Sequence, residues 1–183
     1  MANAAEGGIR ELKIGSGRKI TKIKSPKVLW DDCFELEAYI QSNTALDIFE
    51  LDGMTTETKI SGETSDITTF CAFGWYQWVY FRDTYVTFPG YTLVLGRNCG
   101  PSIDVGTILT AKILRNNGQQ VHRSTYRAFT PDESVKPDYI KARDEFDTAI
   151  EDKLGPAASA TYFESVPEIL TPTLDRYEDD REH

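Results

Sequence analysis

The run FGWYQWVYFRD at 73–83 constrains this chain more than any other stretch. Its residues alternate with the two-residue period of a β-strand: Phe73, Trp75, Gln77, Val79 and Phe81 face one way, and Tyr76, Trp78, Tyr80 and Arg82 face the other. Large aromatic side chains on both faces predict a strand covered on both sides. The competing use is a platform on which nucleic-acid bases stack, which needs the Tyr76/Trp78/Tyr80/Arg82 face to be open. YTLVLGR at 91–97 reads as a second strand. The span TILTAKILRNNGQQVHRSTYRAF at 107–129 reads as a hairpin, with Asn117-Gly118 supplying the two positive-φ residues of a tight type I′ turn. On that hairpin Arg123, Thr125 and Arg127 alternate onto one face. Short strands punctuated by glycine and proline predict a small curled antiparallel sheet or barrel over 73–130.

Helices flank this region, giving an α+β chain. Residues 4–24 carry Ile9, Leu12, Ile20 and Ile23 on one arc at 100° per residue, with Glu6, Arg10, Lys13 and Lys24 on a neighbouring arc. Gly15 and Gly17 each weaken such a helix by about 1 kcal/mol relative to alanine, so it needs a surface to lean on. Ser25-Pro26 reads as the N-cap and first position of a second helix. That helix repeats Leu29, Cys33, Leu36 and Ile40 at helical spacing and is expected to run to about Ala45. Residues 47–72 read as a short helix with loops. Residues 138–153, after Thr130-Pro131, look helical. The segment 155–183 is rich in proline and acid with little periodicity, which predicts disorder.

The 183 residues suffice for one domain with a core or a small domain with appended pieces. No stretch approaches the roughly 20 apolar residues of a membrane span. The N-terminus has no apolar signal-peptide region. Cys33, Cys71 and Cys99 are odd in number and widely spaced, which suggests neither a disulfide framework nor a zinc site. An intracellular setting with inert thiols follows. The net charge of -9 is unevenly laid out: residues 1–27 carry +5, 28–72 carry -9, 73–129 carry +4 and 130–183 carry -9. Two basic segments inside an acidic chain are candidate phosphate contacts, set against ordinary solvated faces.

Material for other chemistry is scarce. The two histidines are His122, inside the hairpin, and His183. No GxSxG occurs, and GRNCGPSIDVG lacks the lysine and the strand-to-helix setting of a phosphate loop. Asp31-Asp32 sits early in a helix, where the helix dipole favours acids. No small-molecule substrate is indicated.

NAAEGGIRELKIGSGRKITKIKSPKVLWDDCFELEAYI resembles the closing helices of a copia-type retrotransposon integrase core. That family has an N-x-AE motif, a basic helix, then a P-x-x-LW start to the next helix. ALDIFELDGMTTETKISGETSDITTFCAFGWYQWV is similar to its following segment. LVLGRNCGPSIDVGTILTAKILRNNGQQVHRSTYRAFTPDE is similar to the small β-barrel that comes next. The resemblance spans about 4–133. It implies that 1–46 are the final helices of a ribonuclease-H-like core and 47–72 a connecting segment. It implies further that 73–130 are the barrel, with 131–154 a linker helix and 155–183 an acidic tail towards a reverse transcriptase.

By the same resemblance, Glu6 is the third carboxylate of a D,D-E triad that binds two magnesium ions in the full-length parent. Such chemistry needs several carboxylates to clamp the ions. Only five residues precede Glu6, so the two aspartates and the family's His/Cys zinc module are expected to be absent. Glu6 then ligates metal only if the aspartates are supplied, and no cofactor is expected in isolation. Gly7-Gly8 and Thr55-Thr56 depart from the family's helix formers and Thr-Pro. The expected activity is weak, non-specific DNA contact through Arg10, Lys13 and Lys24 on the helix and Arg82, Arg97, Lys112, Arg115, Arg123 and Arg127 on the barrel. Self-association through the unburied stripe of the first helix is a further expectation. The alternative is a free-standing β-barrel that binds a protein partner through its aromatic face.

Overall fold

The computed structural model describes residues 4–45, 51–64, 67–68, 72–83, 89–90, 93–105 and 109–158. Helix α1 (Ala4–Ile23) and helix α2 (Trp30–Ser42) form an antiparallel pair, followed by a short helix α3 (Thr56–Ser61). Strands β1 (Trp78–Arg82), β2 (Leu93–Pro101), β3 (Ala111–Leu114), β4 (Gln120–Arg123) and β5 (Tyr126–Ala128) build one antiparallel sheet in the order β4-β3-β2-β1-β5. Helices α4 (Pro131–Val135) and α5 (Pro137–Leu154) follow, each opening on a proline. Thr130 caps α4 in a reciprocal box with Glu133. The architecture is α+β.

The turn between the first two helices differs from its expected form. Lys24 lies beyond α1 in the left-handed region, at φ 58. Pro26 is extended, with ψ 138, and a 3-10 turn (Lys27–Leu29) intervenes before α2. Ser25 is therefore not an N-cap. It is fully buried, its Oγ accepts a 3.1 Å hydrogen bond from Trp75 Nε1, and its carbonyl accepts one from Ala158 N. A buried hydroxyl must find a partner, and the indole N–H supplies it. Helix α2 ends at Ser42 rather than Ala45, where the Asn43 side chain and backbone both donate to the Tyr39 carbonyl.

The apolar stripe expected on α1 is only partly used. Ile20 is buried, but Ile9 is 49% and Ile23 40% exposed. The buried face is made instead by Ser16, Gly17 and Ile20. Small residues allow close approach: a Cβ on Gly15 would lie 2.8 Å from the Glu37 carboxylate, which pairs with Lys19. Gly15, which costs helix propensity, thus sits where α2 comes close, and Gly17 is buried next to Ser16.

Strand β1 is covered on both sides, as its aromatic content predicts. Val79 and Phe81 are fully buried with Ala111 and Ile113 inside the curl of the sheet. Trp78 and Tyr80 turn to the helical side, where Phe129 stacks on Tyr80 and Phe146 meets Trp78 edge-on. A second cluster on that side joins Ile20 of α1, Leu29, Cys33 and Leu36, Cys99 and Leu114 of the sheet, and Phe146 and Ile150 of α5. The helices and the sheet share this core.

The hairpin turn is longer than expected. Gly118 has φ 81 and Asn117 does not take positive φ; the Arg115 carbonyl accepts from Gly118 N, and Arg115 N donates to Gln119. This is a three-residue loop closed by a left-handed glycine, not a type I′ turn. Only Ser124 and Thr125 separate β4 from β5, which occupy opposite edges of the sheet. A link this short holds those strand ends within about 11 Å, so the sheet must curl strongly. It also places Arg123 and Arg127 on different strands rather than on one face of a hairpin. Residues 155–158 are ordered, unlike the tail they were expected to begin. Ala157 bridges to Pro26, and Ala158 is buried. The predicted disorder beyond 158 lies outside the described residues.

Candidate nucleic-acid interface

The basic candidates divide into two sets by what surrounds them. Arg97, in mid-β2, is 12% exposed and meets both carboxylate oxygens of Asp147 on α5 at 2.8 Å. Its guanidinium lies 3.3 Å from the Trp78 ring centroid and 4.4 Å from that of Tyr76. Burial pulls the Arg97 pKa down, while the hydrogen bond and charge of Asp147 act to retain the cation. Lys112 on β3 pairs with Asp32, at 3.2 Å, and with Glu35, both on α2. Gln120 on β4 donates to the other Asp32 oxygen. Burial works against the Lys112 charge, but the hydrogen bonds it donates to the two carboxylates, with their negative charge, outweigh it and raise its pKa.

Arg115 pairs at 2.8 Å with Asp83, whose side chain is 4% exposed. Arg127 grips Glu133 with two nitrogens, at 2.8 and 2.7 Å, and lies over the Tyr80 ring. The hydrogen bond from Arg127, with backbone and side-chain contacts at Thr130, holds the Glu133 carboxyl down at about 2. Arg97, Lys112, Arg115 and Arg127 of the sheet are therefore matched to carboxylates. Phosphate would have to displace those partners first.

The second set faces outward. Arg10, Lys13 and Lys24 are exposed, as is Glu6 in the first turn of α1. A Cβ built on Gly7 or Gly8 would have nothing within 4 Å, so the N-terminal half of α1 projects from the body. Arg82 is exposed at the end of β1, and its carbonyl accepts a 3.2 Å hydrogen bond from Arg123 Nε. Arg123 also donates to the His122 carbonyl at 2.8 Å.

Among the described residues no three His, Cys, Asp or Glu side chains are grouped to hold a metal ion. Glu6 thus has no ligand set here that fits a two-magnesium centre. Ser102 Oγ lies 2.6 Å from His122 Nδ1, tying the end of β2 to β4, with Ser102 itself buried. Burial pushes the Cys33 thiol up to about 12 and raises Cys99 as well, so both are poor nucleophiles. Cys71 lies outside the described residues. Trp78 and Tyr80 lie against Phe146, Phe129 and Tyr139, and Tyr76 is buried beside Arg97, so these rings form no open platform for stacking bases.

The residues that sequence reasoning missed are the acids. Asp32, expected to serve the helix dipole, instead bonds Lys112 and Gln120 across 80 and 88 residues. Asp147, Glu35 and Glu133 were not singled out. The signal was the alternation of basic and acidic segments, which suits a chain whose blocks neutralise one another. Protein-family models, curated proteins and solved structures give no match to this chain. Among the described residues no helix is long and apolar enough to cross a membrane.

Proposed function

We propose that this chain is the C-terminal part of a copia-type retrotransposon integrase, comprising the closing helices of the core, the small curled sheet and the linker. In the full-length parent it serves DNA integration; alone it makes weak, non-specific contact with the DNA backbone. The observation that carries the reading is on α1, where Arg10 and Lys13 stand exposed one turn or two from Glu6 on a projecting helix. Phosphate contacts of this kind give affinity without sequence information. The order of elements, a helical pair followed by a small antiparallel sheet, supports the same reading.

With Glu6 as the single candidate ligand, the isolated chain lacks strand-transfer and nuclease activity in magnesium. A duplex strand-transfer assay tests this, and activity abolished by Glu6→Gln would overturn it. The sequence of the transcript upstream of residue 1 tests the assignment itself, through two in-frame aspartates and a His/Cys zinc module.

A further inference from the structure

Of the three tryptophans, Trp75 is buried, Trp78 packs between Arg97 and Phe146, and Trp30 is 61% exposed. Trp30 opens α2, and its ring meets Phe34 edge-on with centroids 6.4 Å apart. Trp30 and Glu37 are seven residues apart and so lie on one helical row, and Glu37 faces α1 at Gly15 and Lys19. The exposed indole therefore stands on the flank of α2 that borders α1.

Two cations of α1 come level with this aromatic pair. The contact of Cys33 Sγ with the Ser16 carbonyl and the approach of Glu37 to Gly15 fix the register of the antiparallel helices. Each turn forward along α1 is one turn back along α2, which brings Lys22 level with Trp30 and Arg18 level with Phe34. Arg18 and Lys22 are exposed, on the side of α1 opposite buried Ile20. Among the described residues no ion pair engages either of them. Two exposed acids border the area. Glu11 shares the row of Arg18 about 10 Å nearer the N-terminus, and Asp31 follows Trp30 in the first turn of α2. The cationic stretch is thus confined to the C-terminal half of α1, beside the two rings.

An open ring flanked by cations one turn apart suits a ligand that carries anions and flat apolar faces together. A nucleic-acid strand with unpaired bases has both, whereas a duplex keeps its bases stacked inside and offers the cations phosphate alone. A strand can also pass between Glu11 and Asp31, where an anionic lipid surface would meet both. We propose that the outer face of the α1–α2 pair binds single-stranded nucleic acid, one base stacking on Trp30 and the neighbouring phosphates meeting Lys22 and Arg18. This rests on the nucleic-acid reading above and adds a second contact to it, since Arg10 and Lys13 lie on other rows of the helix.

Anisotropy titrations of the full chain with a short labelled oligothymidylate and with a duplex of equal length test the site. The oligothymidylate should bind more tightly than the duplex. Trp30→Ala should weaken oligothymidylate binding by about fivefold or more, and Trp30→Phe, which keeps a ring, should retain most of it. Neither variant should alter duplex binding. Arg18→Gln with Lys22→Gln should flatten the log–log salt slope for oligothymidylate by about 1.4, at an unchanged unfolding midpoint. Unchanged oligothymidylate affinity in Trp30→Ala overturns the proposal and leaves duplex contact through Arg10 and Lys13 standing. A chain that binds neither oligothymidylate nor duplex sinks the nucleic-acid reading and the proposal together. Tryptophan emission that shifts to the blue with phosphatidylglycerol vesicles but does not respond to oligothymidylate would assign the face to lipid instead.

Discussion

The two basic segments of this chain have nearly the same net charge and opposite fates. The sheet lies within 73–129, and Arg97, Lys112 and Arg127 point into carboxylates brought over from α5, α2 and α4. The first basic segment contributes α1, which meets the body along Ser16, Gly17 and Ile20 and holds Arg10 and Lys13 in solvent. Charge counted along a sequence cannot separate the two cases, because pairing depends on which acids the fold brings near. A positive segment flanked by negative ones is as well explained by self-neutralisation as by an external polyanion.

The sharpest test of this contrast is packing. Phe81→Ala in the sheet should cost about 3–5 kcal/mol by denaturant unfolding, whereas Ile9→Ala on the projecting helix should stay within about 0.5 kcal/mol. Equal costs would mean that the Ile9 face is covered in solution.

Glycine substitutions should differ in sign. A Cβ on Gly96 would lie 2.5 Å from Ile113 Cγ2 and 2.9 Å from the Leu114 carbonyl, inside the β2–β3 ladder. Gly96→Ala should therefore lose about 1–3 kcal/mol. Gly8→Ala, in open space, should gain about 0.5–1 kcal/mol. Thermal unfolding of the two variants is sufficient to compare them.

A third comparison concerns arginine itself. Arg97→Lys should cost roughly 2 kcal/mol, because lysine forfeits both the Nη1 hydrogen bond to the Tyr76 carbonyl and the stacking on Trp78. Arg10→Lys, with neither contact, should leave stability unchanged. In DNA titrations the order reverses. Arg10→Ala with Lys13→Ala should flatten the log–log salt slope by about 2 while leaving the unfolding midpoint in place. An unaltered slope would remove α1 from the interface.

The smallest effect is in acid. The Glu133 carboxyl is held at about 2 against an ordinary 4.5, so the fold favours its charged form. Its contribution is complete above about pH 4.5 and is lost as pH falls through about 2. A carboxyl NMR titration should show this depressed midpoint, and Arg127→Ala should return it towards 4.5.

Much of the fold was legible because its signals are local. The aromatic alternation announced a doubly covered strand over 78–82, although 73–77 turns away from it, with Tyr76 at φ 56 and Trp75 on the helical side rather than with Val79 and Phe81. The spacing of Leu29, Cys33 and Leu36 announced the buried face of α2. The parts that were not legible depend on distant residues. Ser25-Pro26 has the local chemistry of a helix start, but Trp75 and Ala158 claim Ser25, and Ala157 holds Pro26 extended. Ile9 and Ile23 lie on the same arc as Ile20, yet α2 covers only the stretch of α1 marked by small residues. For the candidate interface the basic residues were found and their partners were not, since Asp147 and Asp32 acquire meaning only once α5 and α2 are laid against the sheet.

The clasp between Ser25–Pro26 and Ala157–Ala158 also has a consequence in time. The early helices, the middle strands and the last helix contribute to one core, and the turn between α1 and α2 is stitched at that clasp to the residues that follow α5. Contacts that span most of a polypeptide cannot form until most of it has been made, and such long-range closure slows folding. On the ribosome, therefore, the side of this core that Phe146 and Ile150 close stays open until α5 emerges. Chaperone binding to nascent chains should accordingly persist through synthesis of the sheet and fall only once α5 is free.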